Sequence, residues 1–151
     1  MQYKIPESVL VVIHTDDLQV LLLERADHPG YWQSVTGSRA TPEEALADTC
    51  RREVREETGL DADGHVLCDW HHENRFEIYR HWRQRYAPGV THNLEHVFGL
   101  CLAHPQAVHL SPREHLHFDW LPWEQAAERC FSWSNAQAIR ELPQRVAQCR
   151  R

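Results

Sequence analysis

The chain has 151 residues, of which 42% are hydrophobic, and a formal net charge of −6 with its 12 histidines counted as neutral. This length predicts a single domain over residues 1–151 that buries one core. An acidic balance argues against binding to nucleic acid or to a membrane surface. The start, MQYKIPESVLVVIH, lacks the long apolar segment of a signal peptide, and no run of about 18 apolar residues follows, so a cytoplasmic location is expected.

The first elements in the chain are two strands. Residues 8–14 form a continuous aliphatic run rich in β-branched side chains, and residues 20–23 repeat this character after a turn at residues 15–18. Pro29 and Gly30 mark the next turn. Two well-buried strands are therefore predicted before residue 30.

A helix is predicted after this turn. Thr41 can cap free N–H groups, Pro42 suits the first helical position, and Glu43 and Glu44 suit the positive end of the helix dipole. Gly59 is the natural stop.

The apolar side of this helix carries a carboxylate. At about 100° per residue, the apolar residues between positions 46 and 54 share an arc of roughly 100°, with Glu57 inside it, Glu53 beside it and Glu56 further round. One interpretation is a solvated face of ion pairs such as Arg52 with Glu56. However, a charge on the apolar side is costly unless it is paired or binds a cation. Clustered carboxylate oxygens suit Mg²⁺ or Mn²⁺, and Mg²⁺ bound in this way usually comes with substrate phosphates.

Further strands and two helices complete the chain. Ser134 or Asn135 is predicted to cap the last helix, which is interrupted or bent at Pro143. The strands are predicted at residues 66–70, 75–82, 95–103 and 115–121, and the helices at residues 122–130 and 135–142. This alternation predicts an α/β fold with a mixed sheet between helices.

Histidine and cysteine are two further residue types that can form sites. His115 and His117 face the same side of the last predicted strand, but no third zinc ligand accompanies them, so solvent-facing histidines are the preferred interpretation. The five cysteines are odd in number, widely spaced and without a C-x-x-C pair, which argues against a disulfide framework or a zinc knuckle. They are expected to be reduced and mostly part of the core.

The glutamate helix resembles a known motif, the Nudix box, Gly-x5-Glu-x7-Arg-Glu-U-x-Glu-Glu-x-Gly-U with U aliphatic. Residues 52–60, REVREETGL, fit every position of its second half. In the first half the glutamate position falls on Glu44, but the glycine position falls on Ser38, and Gly37 sits one residue too early. The box, over about residues 37–60, therefore has a loop one residue longer than usual, and either Glu43 or Glu44 fills the early position.

The Nudix hydrolase family, which this box resembles, hydrolyses nucleoside diphosphates linked to another group. The resemblance implies an α/β/α sandwich with a mixed β-sheet between helices. It also implies that Glu53, Glu56 and Glu57 are catalytic and bind divalent metal ions. A further carboxylate from outside the box often assists as ligand or base; Glu114 is the candidate, with Glu77 and Glu95 as rivals.

The likeness extends beyond the box to one Nudix group, the bacterial dihydroneopterin triphosphate pyrophosphatases of folate biosynthesis. YKIPESVLVVIH, WQSVTGS, RFEIY, RYAPGVT and SWSN carry this resemblance. It implies Mg²⁺-dependent hydrolysis of dihydroneopterin triphosphate to the monophosphate and pyrophosphate. The residues it associates with substrate binding are Lys4, Arg25, Thr36, Phe76, Glu77, Ile78, Tyr79 and Ser132.

The chemistry of these residues fits a triphosphate with a flat ring. Basic side chains suit phosphates, as at Lys4 and Arg25. Phe76 and Tyr79 suit stacking on a bicyclic ring, although simple core packing of Phe76 is an equal alternative. The late SWSN segment, through Ser132 and Asn135, could hydrogen-bond the ring edges.

Two other functions stay open at this stage. The nearer one is a Nudix pyrophosphatase acting on nucleoside triphosphates, including oxidised ones, because these also combine a flat ring with a triphosphate. The farther one is a non-catalytic Nudix-fold binding module, which the presence of Glu53, Glu56 and Glu57 disfavours. In each case the partner is a small molecule, and no sequence feature fixes the oligomeric state.

Overall fold

The computed structural model describes residues 2–149. The strands are β1 (Glu7–Thr15), β2 (Gln19–Arg25), β3 (Trp32–Gln33), β4 (Val35–Ser38), β5 (Val66–Glu77), β6 (His92–Leu102) and β7 (His115–Pro122). The helices are α1 (Leu46–Thr58), α2 (Trp123–Arg129), α3 (Trp133–Arg140) and α4 (Leu142–Cys149), with short 3-10 helices at Ala62–Gly64 and Arg80–Arg85. No helix of the described residues is long and apolar enough to cross a membrane.

The strands form one mixed sheet in which β1 occupies the centre. The order is β3-β2-β1-β6-β5, with β4 on β1 and β7 on β2. Among the strands of residues 2–149, β1 and β6 are the one parallel pair, and they pair over the whole of β1, from Glu7 with Leu94 to Thr15 with Leu102. At its first half β1 also pairs with β4, whose residues lead directly toward the glutamate helix.

Each face of the sheet has its own core, because the aliphatic strands bury alternate side chains on opposite sides. Val9, Val11 and Ile13 pack with Cys50 and Val54 of α1 on one face. Leu10, Val12 and Leu22 belong to the core on the other face, which includes residues of α2, α3 and α4. This is the predicted α/β/α sandwich with a mixed sheet between helices, and the structure confirms it.

The glutamate helix begins later than predicted. Its N-cap is Ala45 and its first residue is Leu46, rather than Thr41 and Pro42. The reason lies in Glu44, whose carboxylate accepts hydrogen bonds from the Ala40 N–H (2.8 Å) and Thr49 Oγ1 (2.7 Å), so that the chain winds around this side chain before the helix starts. The predicted end is confirmed: Gly59 adopts φ 76°, a conformation that favours glycine.

The region after the helix differs from the prediction in one strand. The two strands predicted at residues 66–70 and 75–82 are one strand, β5, with an irregular register between Asp69 and His72. It ends at Glu77 because the 3-10 helix begins at Arg80, which explains why residues 79–82 did not alternate like a strand.

A disulfide joins Cys68 of β5 to Cys149 of α4, and the expectation that all cysteines are reduced is wrong for this pair. The two residues are 81 positions apart, so their spacing carries no signal, and only the packing of α4 against the sheet brings their Cα atoms to 6.3 Å. Cys50 is buried in the core as expected, and neither Cys50 nor Cys130 forms a disulfide within residues 2–149.

The last helices follow the prediction closely. Ser132, rather than Ser134 or Asn135, is the N-cap of α3, and its Oγ accepts a hydrogen bond from the Asn135 N–H. The predicted interruption near Pro143 is confirmed, since α3 ends at Arg140 and α4 begins at Leu142.

Candidate active site

A cleft of about 630 Å³ opens beside α1 and the first halves of β1, β4 and β6. Every site residue named from the sequence lines it: Lys4, Arg25, Thr36, Glu53, Glu56, Glu57, Phe76, Glu77, Ile78, Tyr79, Glu114 and Ser132. These residues come from seven separate places in the chain, so the fold itself brings them together.

The burial of the α1 carboxylates at the cleft follows the order that the helical arc predicted. Glu57 is buried at 3% exposure, Glu53 is partly buried and Glu56 is exposed. Burial raises the pKa of Glu57 well above its usual range, the adjacent Glu53 carboxyl raises it further, and a backbone hydrogen bond from Thr36 acts in the opposite direction. Burial likewise raises the pKa of Glu53. Two carboxyl groups thus share a confined place, where only Glu53 has a paired cation, Arg52.

Arg52 anchors the base of this cluster. Its guanidinium donates to both carboxylate oxygens of Glu44 (3.0 Å each), to Glu53 Oε1 (2.8 Å) and to the Ser38 backbone oxygen (2.8 Å). These contacts hold the pKa of Glu44 down to about 2, with Arg52 as the first cause. Glu44 therefore fills the early glutamate position of the box as an anchor for Arg52, and Glu43 stays exposed outside the cleft.

Gly37 takes the glycine role despite the longer loop. A Cβ added there would lie 2.0 Å from Cδ of Glu53, much closer than any side chain tolerates. The box needs a glycine at this place because the Glu53 carboxylate lies directly against the β4 backbone. Counting back from Arg52 misplaced the glycine by one residue, but the contact identifies it.

The carboxylate cluster fits a divalent cation. Within residues 2–149 no three acidic, histidine or cysteine side chains already form a closed set of metal ligands, and Arg52 forms ion pairs with Glu53 and Glu56. However, Oε1 of Glu57 is buried without a hydrogen-bond partner and Glu53 lies beside it. Neighbouring buried carboxylates, one of which has an oxygen without a donor, are the ligand type that Mg²⁺ and Mn²⁺ prefer.

Two residues at the start of β7 face the same cluster. Glu114 is exposed at the cleft, and its charge contributes to the raised pKa of Glu57. His115 is 5% exposed, with Nε2 3.7 Å from Glu57 Oε1, so the expectation of a solvent-facing histidine is wrong for it. Burial lowers the pKa of His115 to about 4 and keeps it neutral. An irregular register beside Arg25 turns His115 inward, while His117 is exposed and pairs with Glu24.

The two basic residues predicted for phosphates differ in their surroundings. Arg25 is held by Asp27, to which Nε and Nη2 each donate (2.8 Å), and its guanidinium lies 4.1 Å from the Trp82 ring centroid. Lys4 instead has the Glu53 carboxylate among its charged neighbours, and its pKa is lowered first by burial and then by Arg85. The Lys4 ammonium is therefore more available to bind phosphate than the Arg25 guanidinium, because Asp27 already neutralises part of the Arg25 charge.

Four packed rings form an aromatic wall, composed of Tyr31, Tyr79, Trp82 and Phe131, and the last three of them line the cleft. Tyr79 stacks with Trp82 at 5.4 Å between centroids, and Tyr31 stacks with Phe131 at 4.4 Å. Tyr79 was predicted from the sequence, but Trp82 and Phe131 were missed because aromatic residues scattered over a hundred positions give no local pattern. Phe76 lines the cleft without joining this wall.

Several polar residues near the wall are already committed to the fold. Thr36 Oγ1 donates to the Val9 backbone oxygen (2.9 Å), so its contact toward the site is its backbone bond to Glu57. Asn135 Oδ1 accepts a hydrogen bond from the Ser34 N–H (2.8 Å), and Asn135 Nδ2 donates one to Ser34 Oγ (3.0 Å). Both polar atoms of the side chain, which were expected to contact a ring, therefore have a partner in the fold. Asn135 and Ser132 both line the cleft and stay predictions for the ring edge; in the structure Ser132 also acts as a helix cap.

Comparison with known proteins agrees with this geometry. A family model for the NUDIX domain matches residues 4–142, so the chain belongs to this family, the Nudix hydrolases, as the box predicted. It is 46% identical over 143 residues to the dihydroneopterin triphosphate diphosphatase of Escherichia coli K12, covering 93% of each chain. It is 42% identical over 144 residues to the Haemophilus influenzae protein of the same name, covering 93% of this chain and 89% of that one.

A solved structure supports the same relationship. The structure of the E. coli dihydroneopterin triphosphate pyrophosphohydrolase matches with a TM-score of 0.87 and 44% identity, covering 93% of this chain and 97% of that chain. The fold, the family and the enzyme class expected from the sequence are thereby confirmed.

Proposed function

We propose that this protein hydrolyses dihydroneopterin triphosphate to dihydroneopterin monophosphate and pyrophosphate, with Mg²⁺ as its cofactor and the cytoplasm as its location. The carrying observation is that every residue predicted for carboxylate, phosphate or ring contacts lines a single cleft. The names of relatives at 42–46% identity support the substrate.

The metal would be held by Glu53 and Glu57, with Glu56 and Glu114 completing its ligand set. Nudix hydrolases generally use divalent metal ions, and the unpartnered Oε1 of Glu57 is the feature of this chain that fits one. Bound there, Mg²⁺, or Mn²⁺ in its place, supplies electrostatic stabilisation for the charge that develops on the phosphate oxygens.

The remaining groups orient the triphosphate and the attacking water. Lys4 binds phosphate oxygens near Glu53, and Arg25 contributes its remaining N–H groups. Glu114 is exposed at the cleft beside the cluster, where its carboxylate can accept a proton from water. No side-chain nucleophile is needed, because catalysis of phosphoryl transfer rests on positioning and charge stabilisation.

The phosphorus nearest the ring is the expected point of attack. With the ring against Tyr79 in the aromatic wall, the outer two phosphates face the basic residues and leave together as pyrophosphate. Pyrophosphate spreads its charge over several oxygens and is a much better leaving group than an alkoxide, so P–O cleavage between the first and second phosphorus is favoured.

Two measurements test this function. The first compares kcat/KM for dihydroneopterin triphosphate with those for dNTPs and oxidised dNTPs at saturating Mg²⁺, and we expect the pterin substrate to be preferred. The second is hydrolysis in ¹⁸O-labelled water, with the label expected in the monophosphate. Preference for a nucleotide would indicate a nucleotide pyrophosphatase instead, label only in pyrophosphate would move the attack to the middle phosphorus, and orthophosphate as first product would refute the scheme.

A further inference from the structure

Two polar residues of β6, Asn93 and Glu95, line the cleft but take no part in the glutamate cluster. They lie two positions apart, so their side chains point to the same side of the strand, and they are only 3% and 5% exposed. Asn93 Nδ2 donates to Ser8 Oγ (2.8 Å), whereas its Oδ1 is buried without a hydrogen-bond partner. A buried carbonyl oxygen is unfavourable in this state unless a ligand supplies a donor.

Glu95 is a buried carboxylate with neutral surroundings. Its neighbours are Asn74, whose Nδ2 donates to Oε1 (3.4 Å), and the Ser134 hydroxyl. No cationic side chain of residues 2–149 pairs with it, and burial raises its pKa to about 6. A desolvated carboxylate that neutral amides and hydroxyls surround is suited to neutral N–H donors of a ligand rather than to phosphate.

The position of the pair matches the ring of the substrate rather than its phosphates. In the strand register Glu95 lies opposite Ser8, and the neighbouring Val9 lies opposite Gly37, the residue in contact with Glu53. Strands β4, β1 and β6 are consecutive, so the backbone of the pair lies two strand spacings, roughly 10 Å, from the β4 backbone that the Glu53 carboxylate contacts. A pterin ring with its three-carbon side chain spans this distance.

We propose that Glu95 and Asn93 form the binding site for the 2-amino-4-oxo edge of the substrate ring, an inference that rests on the proposed function. This edge presents an amino N–H and a ring N–H side by side, and the Glu95 carboxylate accepts both. Asn93 Oδ1 accepts the second amino hydrogen. Guanine carries the same edge, whereas adenine presents a ring nitrogen acceptor that would face the carboxylate.

The test compares variants on substrates that differ in this edge. We expect Glu95→Gln to raise KM for dihydroneopterin triphosphate about 10- to 100-fold, with a smaller change in kcat, because a charge-assisted pair of hydrogen bonds is lost. Asn93→Ala should raise KM about 10-fold. The wild-type preference for dGTP over dATP should fall toward parity in Glu95→Gln. Glu73→Gln, an exposed site on neighbouring β5, is the matched control and should leave all values unchanged.

Each result has one meaning. A folded Glu95→Gln protein with wild-type KM for the pterin substrate overturns the inference; if that variant does not fold, an unchanged KM in Asn93→Ala overturns it. A wild-type protein that does not prefer dGTP over dATP also overturns it. A wild-type protein that hydrolyses dGTP in preference to dihydroneopterin triphosphate refutes the proposed function alone, because the recognised edge is then that of guanine.

Discussion

The two ends of the cleft handle negative charge in opposite ways. At the glutamate end, Glu53 and Glu57 place two carboxyl groups side by side; burial raises the pKa of both, and Glu53 raises the pKa of Glu57 further. At the ring end, Glu95 is a single carboxylate among neutral amide and hydroxyl groups. A bound cation stabilises carboxylates that lie close together, whereas hydrogen-bond donors are enough to stabilise a single buried carboxylate.

The two ends also differ in how much of the chain builds them. The glutamate end comes mainly from β4 and α1, which are neighbours in sequence, and Glu114 and His115 are its distant members. The ring end combines residues of β1, β5, β6 and α3, and Asn93 and Ser8 meet across 85 positions. Changes at the glutamate end should therefore reduce turnover, and changes at the ring end should alter which substrate is bound.

The largest expected effect is at the glutamate end. We expect Glu57→Gln to lower kcat at least ~10²-fold, because the charge that would hold the divalent ion at the buried Oε1 is lost. Binding of free dihydroneopterin should be retained. Steady-state rates over a range of Mg²⁺ concentrations test this, with the exposed Glu43→Gln variant as control. Near-wild-type turnover in folded Glu57→Gln protein would refute the assignment of this site.

A smaller loss is expected when the same carboxylates are only displaced. Gly37→Ala places a Cβ 2.0 Å from Cδ of Glu53 and forces that side chain away. Misplacement on this scale should lower kcat on the order of 10- to 100-fold without removing any charged group. Gly64→Ala is the matched control, because nothing lies within 4 Å of the added Cβ. Equal rates for both alanine variants would show that the contact with Gly37 does not position Glu53.

The anchor of the cluster should affect stability more than chemistry. Glu44→Gln weakens the two bonds to Arg52 and the contact with the Ala40 N–H, and we expect about 3 kcal/mol lower free energy of unfolding. Glu43→Gln, one residue earlier and exposed, should change it by less than about 0.5 kcal/mol. Urea unfolding compares the two, and equal losses would mean that Glu44 has no special anchoring role.

The sequence predicted the glutamate end well because the information there is local. The helical arc alone placed Glu57 toward the core, and the box spacing identified its partners. The loop before the helix was harder to predict. The Glu44 carboxylate accepts a hydrogen bond from the Ala40 N–H, so residues 40–45 wind around it and α1 begins at Leu46. Rules for helix caps do not include such a contact. The role of Gly37 became clear only from its contact with Glu53.

The ring end was predictable only in part. Tyr79 came from the resemblance, but the unpartnered oxygen of Asn93 is a property of packing across β1 and β6. Glu95 was considered only as a rival catalytic carboxylate, because its neutral surroundings depend on Asn74, 21 positions away. The Cys68–Cys149 disulfide has the same origin, since nothing near either cysteine indicates the other.

The smallest expected effect is the pH dependence that Glu95, the carboxylate at the ring end, gives to the free energy of unfolding. The pKa of Glu95 in the folded protein is about 6, above its ordinary value of 4.5, so the folded state binds this proton more tightly than the unfolded state. Its contribution to stability is fully present below about pH 4.5 and is lost as the pH rises through about 6. A glutamine at this position cannot titrate, so the variant does not lose this stability as the pH rises.

Glu95→Gln should consequently gain about 1–2 kcal/mol in free energy of unfolding, relative to wild type, between pH 4.5 and pH 7.5. Urea unfolding at several pH values measures this difference, and the raised pKa values of Glu53 and Glu57 cancel because both proteins contain them. The exposed Glu128→Gln variant should run parallel to wild type throughout. A pH-independent difference for Glu95→Gln would mean that Glu95 titrates normally, and the contrast between a crowded and an isolated buried carboxylate would then fail at the ring end.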